Sequence, residues 1–231
     1  MKSNNEQHLA YVIHSRAFRE TSLLVDMLSL EHGRIALVAR GAKRGKLKTS
    51  SLLQPFIPLS VSWFGTGDLV TLTQVEMLGV RPALSAKRMI CGLYINELLF
   101  KLLNKWDPCL NLFNSYQQAL LDLSQEEISE QVILRKFEKE FLKSLGYGLQ
   151  LRTDVSSGEP IQADSYYKFD PVHGPSLVSS THFAAVKGAS LLALELEDFT
   201  CPEMMTEIKR LMRVVFSHHL GARQLMTRQL L

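Results

Sequence analysis

The sequence is poor in cysteine: only Cys91, Cys109 and Cys201 occur in 231 residues, far apart and never as a CxxC pair. That spacing excludes a disulfide framework and a thiolate zinc site of the usual kind, and it fits a reducing compartment. The opening MKSNNEQHLAYVIHSR lacks the apolar core of a secretory leader, and no later stretch approaches the roughly 18 uncharged apolar residues of a membrane span. The expectation is a cytoplasmic protein with no membrane partner. Nucleotide-binding signatures are missing too, since GAKRGK lacks the GxxxxGK(S/T) spacing and GTGDLV lacks the third glycine of a dinucleotide fingerprint. His218 and His219 are adjacent, so on a helix they point about 100° apart and have no ligand at i+4 to complete a metal site. Cys109 has no histidine beside it, and the carboxylates at Glu126, Glu127, Glu195, Glu197 and Asp198 read as surface charge. No catalytic constellation, metal site or cofactor is expected.

What is present is ordinary for a globular chain of one or two domains: 46% hydrophobic residues, 21% charged residues and a formal net charge of +3. A balance so mildly basic says little about partners; its distribution says more.

From Leu9 to about Leu78 the texture is β. The runs LAYVIHS, TSLLVDMLS, RIALVAR, FIPLSVSWF and LVTLTQVEML are separated by turn signals at Gly33, Gly41, Pro55, Pro58 and Gly65-Thr66-Gly67-Asp68. Five short strands with no helical pattern between them predict a small closed barrel, of which the five-stranded OB-fold is the commonest form and an SH3-like barrel the alternative. At Arg81-Pro82 the texture changes. Ser85 stands as an N-cap before a long helical run with Met89, Leu93, Ile95, Leu98, Leu99, Leu102 and Leu103 on an apolar face around Tyr94, Asn96 and Glu97. A second helix is expected over Leu112 to Leu123. A third is expected from about Glu126 to Leu145, with Ile128, Val132, Phe137, Phe141 and Leu145 inward and Gly146 as C-cap. Residues 149–178 are rich in Gly, Pro, Ser and Asp and read as an irregular insert with room for a hairpin. Helices resume over Lys187 to Leu196 and after Thr200, the last one carrying a stripe of Met205, Ile208, Leu211, Met212, Val215 and Phe216 and ending at Gly221. The fold class is therefore α+β: an N-terminal barrel over 1–80, then a mainly helical domain over 81–231 with an insert at about 149–180.

Between Glu31 and Asp68 there is no acidic residue, while Arg34, Arg40, Lys43, Arg44, Lys46 and Lys48 crowd around ARGAKRGKLKTSS. A loop at one end of a barrel, interrupted by two glycines and free of carboxylates, can follow an irregular phosphate chain. A charge run of this kind is often merely solvated, but cations placed only for solubility come mixed with Glu and Asp. If all six cations meet phosphates, single-strand affinity falls with salt at a log-log slope of about −4. Tyr11, Phe18, Phe56, Trp63 and Phe64 are candidate stacking platforms, and Trp63-Phe64 reads equally well as barrel packing.

Several segments taken together, VIHSRAFRETSLLVDMLSLEHGRIALVARGAKR, LLQPFIPL, LYINELLFKLL, LRKFEKEFLKSLGYG, SGEP and LGARQLMTRQLL, resemble the bacterial RecO recombination mediators. They span nearly the whole chain in the same order. The resemblance implies an OB-fold joined to a helical domain, no catalytic activity, and a role in gap repair by the RecF pathway. It implies binding of single- and double-stranded DNA, annealing of complementary strands, and work with RecR to load RecA onto DNA covered by SSB, with RecF left open as a direct partner. It also implies docking of the acidic, Phe-ending tail of SSB on the third helix. There Arg135 would meet the tail's carboxylates beside Lys136, with Leu134, Phe137 and Leu145 as apolar neighbours. Arg135 could instead face water or pair with Glu130 or Glu138 on its own helix. Many RecO proteins carry four cysteines in the insert as a zinc site; here the first pair's place reads Thr153-Asp154-Val155-Ser156-Ser157-Gly158, so no zinc is expected. The competing account is a scaffold that bridges SSB and RecR and uses the basic loop on an acidic partner instead of DNA.

Overall fold

The computed structural model describes residues 3–44 and 49–230, with side chains described from Glu6 onward except at residue 229. Five strands, β1 (Ser3–Phe18), β2 (Ser22–Ser29), β3 (Gly33–Ala39), β4 (Leu59–Phe64) and β5 (Val70–Met77), close into a barrel in the order β1-β2-β3-β5-β4. Neighbours are antiparallel except β3 and β5, a short parallel seam pairing Leu37 with Val70 and Val38 with Thr71. This order is that of the OB-fold, which sets the SH3-like alternative aside. The period of two along each strand sends Ala10, Val12, Val25, Met27, Ile35, Leu37, Leu59 and Val61 into the interior, where each is fully buried. A bulge between Val12 and His14 re-aims the second half of β1. A single helical turn, α1 (Thr49–Leu52), precedes β4.

After the barrel come α2 (Ala86–Leu102) and α3 (Leu110–Leu123). The expected inward face of α2 is corrected at three positions: Leu93 is exposed, whereas Tyr94 and Asn96 are buried. Asn96 tolerates burial because it is bonded on both sides, its amide nitrogen donating to the Val12 carbonyl at 3.4 Å and its oxygen accepting from Tyr116 Oη at 2.8 Å. Burial also drives the Tyr116 phenol far above its ordinary pKa. Arg88, also buried, donates to the carbonyls of Asp122, Leu123, Gln125 and Glu126. It thereby satisfies the end of α3, and the chain turns around it. That is why α4 begins at Glu130 rather than near Glu126 and runs to Ser144.

The chain forms two compact units, residues 1–127 with 225–231, and residues 128–224. In the first, the C-terminal segment lies on α2, where the Glu97 carboxylate accepts the amides of Met226 and Thr227, both at 2.9 Å, and the Thr227 hydroxyl at 2.6 Å. In the second, the insert is more regular than expected: β6 (Tyr166–Asp170) pairs with β7 (Gly174–Val178) as a hairpin and with β8 (Ala185–Lys187) on its other side. Helices α5 (Gly188–Leu196) and α6 (Pro202–Leu220) follow. The N-cap of α6 is Cys201 rather than Thr200, whose hydroxyl is taken by Asp198 at 2.8 Å. At 153–160, where a zinc knuckle would stand, the turn is closed by hydrogen bonds. Asp154 Oδ1 accepts the Ser156 amide at 2.8 Å, and the Gly158 amide donates to the Asp154 carbonyl at 2.8 Å. Two carboxylates, Asp154 and Glu159, among hydroxyls and with no thiolate, do not fit the donor set of a structural zinc. Among the described residues no helix is long and apolar enough to cross a membrane.

Candidate nucleic-acid interface

Outward-facing residues of β1, β2 and β3 form one surface, and the register fixes its rows: Arg16 opposite Leu24, Leu24 opposite Val38, Val38 opposite Thr71. Half of this surface is covered. His14 stacks on Phe100 at 4.1 Å between centroids, and the Arg34 guanidinium lies 4.6 Å from the same ring. Arg34 donates through Nε and Nη2 to Asp26 Oδ1 at 3.0 and 2.9 Å, and through Nη1 to the carbonyls of Phe100 and Leu103 at 2.6 and 3.1 Å. The expectation that Arg34 meets phosphate is corrected by this geometry: its donors are spent on holding α2 to the barrel and on neutralising a buried carboxylate.

The other half is open and forms a cleft of about 610 Å³ lined by Phe18, Arg19, Thr21, Ser22, Val38, Arg40, Gly41, Leu69, Val70 and Thr71. Its walls are the β1–β2 turn, the end of β3 and the start of β5. These are the face and loops that OB-folds use for oligonucleotides. Arg40 is exposed at its edge and also lines a second cleft of about 330 Å³ with Thr49, Thr73, Gln74 and Glu76, where β3 and β5 part company after their two-residue seam.

The root of the basic loop is pinned from two sides. The Lys43 amide donates to the Thr21 carbonyl at 3.0 Å and the Ser50 amide to the Ala42 carbonyl at 3.1 Å, with Ala42 itself buried. Gly41 makes the corner in the left-handed region at φ 65°, where a side chain would be strained. Lys43 and Arg44 are exposed on this fixed root, next to the β1–β2 turn. Lys46 and Lys48 lie outside the described residues.

Two cations missed by the sequence argument join this group. Arg19 lines the cleft with its guanidinium 5.3 Å from the Phe18 ring centroid, and Arg16 is exposed two residues before Phe18 on the same face of β1. The alternation SRAFR held the signal, because period two places Arg16 and Phe18 together. Of the aromatic candidates, Tyr11, Phe56 and Trp63 are interior, Phe64 is half-buried, and Phe18 is the one that lines the cleft. Trp63 sits instead in a cluster with His8, His32 and Trp106, all ring centroids within 6.1 Å of a neighbour. Trp106 Nε1 in turn donates to the Gly67 carbonyl at 3.0 Å and Lys105 Nζ to the Asp68 carbonyl at 3.0 Å, which fixes the β4–β5 loop. Burial lowers the pKa of His32, and of His14 on the covered face, below the usual histidine range.

The second expected surface, on α4, is less open than the sequence implied. Leu134, Arg135 and Phe137 are buried, Leu145 is half-buried and Lys136 is exposed. Arg135 Nη2 bonds to the buried Glu138 at 2.7 Å, while its Nε is buried without a hydrogen-bond partner. Of the readings open for Arg135, the pairing with Glu138 on its own helix is the one seen, and Lys136 is the exposed cation beside it.

Comparison with known proteins agrees with this architecture. Residues 1–81 match the family model described as "Recombination protein O N terminal", and residues 84–229 match "Recombination protein O C terminal". The "DNA repair protein RecO" of Methylococcus capsulatus is 43% identical over 221 residues, covering 96% of this chain and 90% of the relative. The protein of the same name from Nitrosococcus oceani is 43% identical, covering 96% and 91%, and that from Azoarcus is 39% identical, covering 100% and 97%.

Proposed function

The chain belongs to the RecO family of DNA repair proteins, and from that premise we propose that it is a recombination mediator that holds single-stranded DNA along the open half of its barrel. The observation that carries this reading is the cleft between the β1–β2 turn, β3 and β5, with Arg19 and Arg40 on its lining and Lys43 and Arg44 on the pinned loop beside it. Guanidinium and ammonium groups along such a groove bind phosphates without regard to base, and Phe18 offers a face for one base. A backbone-directed site also accepts duplex DNA. A protein that holds strands by phosphate leaves base edges free to find a complement, which is the requirement for annealing.

In the same proposal the acidic tail of SSB docks at α4, where Lys136 supplies the exposed cation and the buried Arg135–Glu138 pair lies beneath it. Together with RecR, this places RecA on SSB-covered strands. The test is charge reversal, Lys43→Glu with Arg44→Glu, read by binding to labelled oligo-dT and, separately, to a labelled SSB-tail peptide. Loss of oligo-dT binding with peptide binding intact supports the mediator. Unchanged oligo-dT binding contradicts it and favours a scaffold that touches only proteins.

A further inference from the structure

The second compact unit carries an apolar pocket that neither DNA binding nor docking at α4 uses. It is about 240 Å³, lined by Phe169, Ala184, Val186 and Leu211 and rimmed by Phe183, Arg210 and Val214. Val186 and Leu211 are buried and make its floor. On its rim Phe183 is 88% exposed and Val214 51%, so an aromatic ring stands in water with His182 stacked on it, at 4.7 Å. Single exposed apolar residues are ordinary, but an exposed aromatic and an exposed Val flanking a preformed apolar pocket are the composition of a contact surface.

The charge at this pocket has one sign. Arg210 is the one charged residue of the seven that line it, and its Nη2 donates to the Ala185 carbonyl. That bond fixes the guanidinium at the rim and leaves its remaining N–H groups for an incoming group. Between Ile208 and Leu220 every charged side chain of α6 is a cation, Lys209, Arg210 or Arg213. The nearest acid before them, Glu207, is occupied with the Ser190 hydroxyl at 2.6 Å and the Lys187 amide at 3.1 Å. Size selects among ligands: the volume falls below the roughly 300–1,000 Å³ of small-molecule sites and suits one large side chain.

We infer that this pocket is the seat of a partner protein's acidic peptide segment, with an aromatic side chain inserted over Val186 and Leu211 and a neighbouring carboxylate on Arg210. A second copy of this chain is the poorer occupant. Its own acidic-apolar segment at 196–199 has Glu197 paired with Lys139 at 3.2 Å and Asp198 engaged with Thr200. The seat is independent of the docking at α4, whose exposed cation is Lys136.

The experiment is fluorescence anisotropy with the full chain and a labelled decapeptide of alternating Asp and Ser with one central Phe. Control peptides carry Ala for Phe, or Asn for every Asp. The inference expects the Phe peptide to bind and both controls to bind at least about tenfold more weakly. Phe183→Ala and Arg210→Gln should each weaken the Phe peptide about tenfold, while Lys136→Glu leaves it unchanged. Phe183 is exposed enough that its replacement carries no folding cost, which keeps that variant interpretable. Three results overturn the inference: no binding by the wild type, equal binding by the wild type and both pocket variants, or concentration-dependent self-association in light scattering that Phe183→Ala abolishes.

Discussion

Arg34 and Arg40 face outward from the same strand and its end, yet they are different kinds of residue because of what touches them. Arg34 meets a buried carboxylate and two carbonyls from α2; Arg40 meets solvent and two clefts. Replacing Arg34 by Ala leaves Asp26 buried without its cation, so the account expects a loss of about 3 kcal/mol or more in urea unfolding. Arg40→Ala should stay within about 0.5 kcal/mol of the wild type and lose DNA affinity instead. The sequence made both look alike, since the groups that consume Arg34 lie 8, 66 and 69 positions away. By contrast, the carboxylate-free interval that marked the loop is a local property and was legible. The histidines add a pH dependence. Burial lowers the pKa of both His14 and His32, so the unfolded chain binds protons that the folded chain refuses. Stability is therefore full above the unfolded histidine value of about 6.5 and declines as pH falls through it. His32 is faced by His8, Glu31, Trp63 and Trp106, and the fall should appear in the emission of the two tryptophans, both of which stand in this cluster. A urea midpoint at pH 5.5 equal to or above that at pH 7.5 would contradict it.

Elements whose pattern is local came through well. All five barrel strands fall on runs rich in β-branched and apolar residues, although β1 starts at Ser3, before the expected Leu9; α3 and α5 fall where helices were expected, and α6 follows from its apolar stripe at helical spacing. One boundary was moved by a distant side chain, since Arg88 gathers the carbonyls of Asp122, Leu123, Gln125 and Glu126 and delays α4, and another by a near one, Asp198, which takes the Thr200 hydroxyl. The insert looked irregular because its strands are only three to five residues long, below the length at which alternation is readable. The C-terminal segment was legible only as part of the family resemblance; its physical role is the clasp on Glu97. Hydrogen bonds from this segment and from Lys101 lower the Glu97 pKa, against the effect of burial. Glu97→Ala should therefore expose the amides of Met226 and Thr227, read as faster hydrogen exchange at 225–230 with the barrel amides unchanged. Unchanged exchange at those two amides would show that the clasp does not hold the segment.

For the molecule as a whole, the change of texture at Arg81-Pro82 marks where strands give way to helices, while the compact units divide at 127 and 128. The reason is that α2 and α3 pack on the barrel. Asn96 bonds the Val12 carbonyl, Gln117 donates to the Tyr11 hydroxyl at 3.0 Å, and Tyr11 packs against Phe113 and Tyr116. The barrel with its two helices carries the cleft proposed to hold the DNA strand, and α4 and the apolar pocket belong to the second unit. The central claim is that DNA is held by the cations around the cleft, and the salt dependence of oligo-dT anisotropy tests it most directly. Phosphate contacts from Arg16, Arg19, Arg40, Lys43 and Arg44 give a log-log slope of about −3.5, and removing two of them with Arg19→Ala and Arg40→Ala should move it to about −2 with tenfold or greater loss of affinity at low salt. An unchanged slope and affinity in that double variant would place DNA elsewhere on the molecule.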